Sequence, residues 1–130
     1  MVLNDGAPVV MGRSGYRLTL HQTYDIVEAG TGRDRYKVST RGYIYEVHDK
    51  KGEVVSFHYH PESGIDFCHL HLRGVPQFRG VHFPTGRVAI EEVVLMLIRD
   101  FDVRPRRLDY GEVIERNLEI FRRWRTWHTR

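Results

Sequence analysis

The apolar residues of this chain change their spacing once, near Pro84, and that change limits the fold more than any other feature. Before Pro84 they alternate with polar residues, the period of a strand with one buried face; after it they recur at helical spacing. An antiparallel sheet followed by two helices is the arrangement this order predicts, an α+β domain with both helices packed on one sheet face.

In the first part, Tyr16, Leu18 and Leu20 alternate with Arg17, Thr19 and His21, which marks a first strand. The turn-forming stretch Glu28 to Asp34 leads into a second strand from Arg35 to Val47. Its parity changes part-way: Tyr36 and Val38 are even, whereas Tyr43, Tyr45 and Val47 are odd. A strand changes face only where a residue is added, so a bulge is expected at Gly42. After a turn at Asp49 to Gly52, Val55, Phe57 and Tyr59 mark a third strand. A loop from Pro61 to Asp66 precedes a fourth at Cys68, Leu70 and Leu72, and a short strand follows around Val81 and Phe83. The sheet of four to five strands is expected over about residues 8–83 of one domain, 1–130.

The second part predicts helices over about 86–103 and 110–128. Thr85 is the expected N-cap of the first, in which Ile90, Val93, Val94, Leu97, Ile98 and Phe101 share one arc. Asp109 and Glu112 have capping-box spacing ahead of the second. There Val113, Ile114, Leu118, Ile120, Phe121, Trp124 and Trp127 form the apolar half, and Glu115, Arg116, Glu119, Arg122 and Arg123 the polar one.

The chain holds 130 residues, enough for one core. Its longest apolar run, Val93 to Ile98, is far short of the ~20 residues that a membrane helix needs. The start of the sequence has no basic stretch leading into an apolar one, so a cytoplasmic chain is expected, with no membrane partner. Cys68 is the one cysteine, which rules out an internal disulfide or a multi-cysteine zinc site. It opposes the histidines and is expected to fill core space. The net charge of +3 lies at the carboxyl end: residues 104–130 carry eight arginines and four acids. Arg116, Arg122, Arg123 and Arg125 are therefore candidates for nucleic-acid contact, against the simpler reading of a solvated helix face.

Seven of the eight histidines lie in the sheet region, and parity puts every one of them opposite the apolar set. His58-Tyr59-His60 and His69-Leu70-His71 each place two rings on one side of a strand. If the loop between them closes a hairpin, four imidazoles meet on neighbouring strands, with Glu62 and Asp66 close by. Histidine titrates near neutrality, so one ring can accept a proton while another donates one, which suits RNA cleavage without any cofactor. Arg73, on the same face, could hold the phosphate. Imidazole pairs also chelate divalent metals, and His58, His60, His69 and His71 are then the ligands. A third alternative is a polar strand surface whose histidines share no task, in a non-enzymatic protein that binds another chain through its last helix. These alternatives stay open on the residues alone.

The segments YIYEVHDKKGEVVSFHYHP, CHLHLRG and HFPTGRVAIEEVVLMLIRDF together resemble the TumE-type toxins of bacterial toxin–antitoxin modules over roughly residues 36–103. The shared positions are His58, His60, His69 and His71, with Pro84 and Gly86 at the start of the helix. The stretch Leu72 to Val81 is longer than the family pattern, and the arginine-bearing last helix lies outside it. The resemblance implies a growth-inhibiting toxin with a helix-turn-helix antitoxin as partner. By analogy with other small toxins it implies ribonuclease-type action on RNA, and it leaves a homodimer open.

Overall fold

The computed structural model describes residues 2–32, 35–124, 126 and 127. Strands β1 (Val9–Val10), β2 (Arg17–Glu28), β3 (Tyr36–His48), β4 (Glu53–His60), β5 (Ile65–His71) and β6 (Phe83–Pro84) form one antiparallel sheet in sequence order. Helices α1 (Ile90–Asp100) and α2 (Tyr110–Trp124) follow, and β7 (Thr126–Trp127) pairs in parallel with Ser39 and Thr40 of β3. The architecture is α+β as expected, with seven strands instead of four or five because three of them are only two residues long.

The parity change in β3 is a bulge. Thr23 faces Gly42 and Tyr24 faces Thr40, so Arg41 is the added residue. Glycine is required beside it, since a Cβ on Gly42 would stand 2.7 Å from the carbonyl oxygen of Tyr59 on β4. The bulge thus lets β4 approach β3 at the point where β4 carries its histidines.

One face of the sheet packs on the helices. Leu18, Leu20, Tyr43, Tyr45, Val47, Val55 and Cys68 cluster with Val93 and Leu97 of α1 and with Val103. Burial pushes the Tyr43 and Tyr45 hydroxyls and the Cys68 thiol above their ordinary pKa values, which keeps all three neutral in the core. Ile114 and Leu118 of α2 form a second cluster with Ala89, flanked by Val94, Leu95 and Ile98 on the far side of α1. Phe121 approaches the sheet beside Tyr43 and Tyr45, so α2 lies on the same side as α1.

Both helices are shorter than the spacing predicts. Thr85 is not an N-cap: its N–H donates to the Cys68 carbonyl at 2.8 Å, extending the pairing of β5, and Val88 N–H donates to the Tyr43 hydroxyl at 3.1 Å. These bonds keep residues 85–89 out of the helix, and α1 starts at Ile90, where the Ala89 N–H donates to the Glu92 carboxylate at 2.8 Å. At its end Asp102 takes a left-handed φ of 51° and Val103 N–H returns to the Leu97 carbonyl at 3.1 Å, which stops the helix ahead of Pro105. Helix α2 ends at Trp124, and Trp127 lies in β7 rather than on the helix. Ile120, expected on the apolar half, is exposed. Of the expected features, Arg33 and Asp34 of the first turn, Arg125, and the helix end at residue 128 lie outside the described residues.

Candidate metal centre

Strand alternation puts Ser56, His58 and His60 of β4 and His69 and His71 of β5 on the face turned away from the helices. His58 and His69 are direct cross-strand partners, and Ser56 faces His71. The fifth ring comes from outside these strands. Leu70 faces Phe83 on β6, so continuing the antiparallel register by one residue sets His82 across from His71. The loop between β5 and β6 makes this return possible. Gly74 N–H donates to the Val54 carbonyl at 3.0 Å, Arg79 donates to the Arg73 carbonyl at 3.3 Å, and the Arg73 guanidinium donates back to the Arg79 carbonyl.

His69 is the centre of the group. Its ring centroid lies 4.8 Å from that of His82, 5.1 Å from His71, 5.5 Å from His58 and 5.5 Å from His60. The expected open imidazole surface is in this respect a packed cluster: His69 is 0% exposed and His71 3%, buried among the other rings and Phe67. His21 and His48 share the face but not the cluster. His21 lines a neighbouring cleft with His60, Arg41 and Glu62, while His48 pairs with Glu46 at 3.3 Å.

The ring nitrogens differ in their engagement. His69 Nδ1 donates to the Phe67 carbonyl at 3.0 Å; since that partner only accepts, the proton is on Nδ1 and Nε2 keeps its lone pair. His60 has both nitrogens occupied, Nδ1 by Ser63 Oγ and Nε2 by His58 Nδ1 at 3.3 Å. His58 Nε2, His69 Nε2 and His71 Nδ1 are buried and have no hydrogen-bond partner among the described residues. Such atoms are costly to leave unpaired, at about 1–3 kcal/mol each. Burial holds the His58 imidazole down to about 3, helped by His71, His60, His69 and the Arg73 guanidinium. Burial lowers His71 as well, with Arg73, His82 and His69 acting the same way. Both rings are neutral at pH 7, the form in which imidazole binds a metal.

Two sets of three rings, His58–His60–His69 and His69–His71–His82, each offer ligand nitrogens within 4.8 Å of one another. Glu62 and Asp66 are exposed, and neither belongs to a set. Arg73 stands beside His58 and His71, with Nε 3.5 Å from Glu53 and one terminal nitrogen donating to the Arg79 carbonyl in the loop. The arginines of α2 are not part of this surface. Arg116, Arg122 and Arg123 are exposed on a helix that lies on the opposite side of the sheet. Comparison of the chain with protein-family models, with curated proteins and with solved structures finds no match.

His82 stands outside the four-histidine site that sequence reasoning assembled from His58, His60, His69 and His71. Its alternation with Val81 and Phe83 gave the right face, but only the loop's path back to β5 brings it against His69 and His71.

Proposed function

We propose that this protein works through a divalent transition-metal ion held by imidazoles of the β4–β5–β6 face. The observation that carries the reading is the set of three buried ring nitrogens without partners, on rings packed within 5.5 Å of one another. A hydrogen-bonded backbone carbonyl behind a ligating histidine, as Phe67 stands behind His69, is the usual support that fixes a ligand's tautomer. All-imidazole donor sets suit zinc, nickel, copper or iron rather than magnesium or calcium. A metal bound this way lowers the pKa of a coordinated water and makes it a nucleophile near neutrality.

The reaction we assign to the ion is hydrolysis of an RNA phosphodiester by a toxin-type protein. What supports the RNA part is Arg73, 38% exposed at its side chain beside the cluster, and the resemblance over residues 36–103. Acid/base cleavage by the histidines alone is supported less well, because His58 and His71 are both held neutral at pH 7 and a neutral imidazole is a poor acid toward a leaving group. The test is a titration of chelator-treated, tag-free protein with Zn2+, in the wild type and in a His69→Ala, His71→Ala double variant. One equivalent bound by the wild type and none by the variant is expected. An RNA digest with and without added Zn2+ follows on the same samples, and cleavage that persists in chelator would overturn the metal mechanism.

A further inference from the structure

Resting on the metal reading, the geometry points to one three-histidine site, made by His69, His71 and His82, in which the loop after β5 delivers the third ligand. The other set cannot be filled at the same time. His69 belongs to both, and with Nδ1–H committed to the Phe67 carbonyl it has one lone pair, on Nε2, for one ion. The cluster therefore holds a single ion, and the two sets compete for it.

Hydrogen bonding decides the competition. In the His58–His60–His69 set, two of the three members are bonded to each other at 3.3 Å, and the second nitrogen of His60 is held by Ser63. Binding there would break a hydrogen bond inside the site. Each set has two buried nitrogens without partners, His69 Nε2 with His58 Nε2 in the first and with His71 Nδ1 in the second, so the doubly engaged His60 is what separates them. His82 packs against His69 and His71, with ring centroids 4.8 and 4.6 Å away. Tetrahedral coordination at about 2.0–2.1 Å brings ligand nitrogens to roughly 3.3 Å from each other. Rings on two hydrogen-bonded strands have little room to adjust. His82 is exposed, and it lies just before β6, at the end of the loop clasped by Arg73 and Arg79. It is the ligand of this set whose ring is not enclosed by the others.

Three protein ligands leave a fourth position for water or substrate, the arrangement of catalytic rather than structural zinc. On this reading the additional length between Leu72 and Val81 has a purpose, because it forms the arm that carries His82 back to the site.

The experiment is a Co2+ titration followed by its visible absorption, on full-length wild type, His82→Ala and His60→Ala, with circular dichroism showing that each is folded. Removal of His82 should weaken binding by at least about tenfold, and removal of His60 by less than about threefold, since loss of even a supporting contact typically costs 10–100-fold. His82→Cys should restore binding and add a near-ultraviolet thiolate-to-cobalt band, a signal that only direct ligation produces. Loss on removing His60 but not His82, or equal loss in both, would overturn the His82 site while leaving the metal reading intact. A wild type that takes up neither Co2+ nor Zn2+ would overturn both.

Discussion

The imidazole of His69 donates its Nδ1 proton to the carbonyl oxygen of Phe67, two residues earlier on the same strand, at 3.0 Å. A strand places residues i and i+2 on one face, so this bond ties the ring to its own backbone and turns Nε2 toward the neighbouring histidines. The metal-free protein should therefore show His69 as the Nδ1–H tautomer in a long-range 15N NMR spectrum at pH 7.5. Addition of Zn2+ should shift the Nε2 resonance and leave Nδ1 protonated. Observation of the Nε2–H tautomer would remove the lone pair on which the site depends.

The metal-free protein should lose stability on mild acidification. The folded pKa of His58, about 3, lies below the ordinary value of 6.5, so between these values the unfolded chain binds a proton that the folded chain does not. The stabilisation is fully present above about pH 6.5 and is lost as the pH falls toward 3. His71, lowered in the same direction, adds to the slope. Urea midpoints of chelator-treated protein should fall between pH 7 and 5, and His58→Gln should flatten that dependence. A wild-type midpoint constant over this range would contradict the burial assigned to these rings.

Gly42 is the backbone position on which the histidine face depends. A methyl group there would meet the Tyr59 carbonyl oxygen at 2.7 Å, against backbone that cannot rotate away. Gly42→Ala should destabilise the fold by about 1–3 kcal/mol, the usual range for overpacking. Because Tyr59 lies between His58 and His60, the same change should also disturb their hydrogen bond. Thermal melting measures the first effect. An unchanged melting temperature would mean that β3 and β4 are less closely paired than their register shows.

Much of this arrangement was legible in residue order, and the part that was not has a definite physical origin. Alternation alone gave the face of every strand histidine, and the parity switch between Val38 and Tyr43 located the bulge. Burial of His69 was not legible, because polar parity ordinarily means a wet face, and here the rings exclude water by packing on one another. The part played by His82 was hidden for another reason. It depends on the path of a loop fixed by hydrogen bonds between Arg73 and Arg79 and from Gly74 to Val54, which no periodicity encodes. The start of α1 was misplaced because Thr85, a good capping residue locally, is drawn into pairing with Cys68.

Helix α2 separates into residues that hold the fold and residues that do not. Leu118 is 6% exposed in the cluster with Ala89 and Ile114, so Leu118→Ala should cost about 2–5 kcal/mol. Phe121, on the apolar half of the helix as expected, is only half-buried beneath the Arg87 guanidinium, 4.7 Å from its ring centroid. Phe121→Ala should accordingly cost less than Leu118→Ala, about 1–2 kcal/mol, well below the 3–5 kcal/mol of a fully buried phenylalanine. Chemical denaturation of both variants checks the order, and a reversed order would mean that α2 is anchored at its end rather than its middle.

The exposed arginines of α2 give the final prediction. Arg122 and Arg123 face solvent, and the Arg123 guanidinium lies over the Trp124 ring, 5.0 Å from its centroid. Surface changes away from packed features usually stay within about 0.5 kcal/mol, so Arg122→Glu with Arg123→Glu should shift the melting temperature by no more than about 2 °C. The helix and the histidine cluster lie on opposite sides of the sheet. If RNA is cut at the cluster as proposed, a short RNA there does not reach both, so cleavage of a short oligonucleotide should be unaffected by the charge reversal. A long RNA that also runs over α2 would release counterions from both surfaces, and its binding to the variant should show a shallower salt dependence. Cleavage of the short substrate that falls with the charge reversal would mean that the phosphate path crosses the helix layer, and that the RNA site lies on the far side of the sheet from the imidazoles.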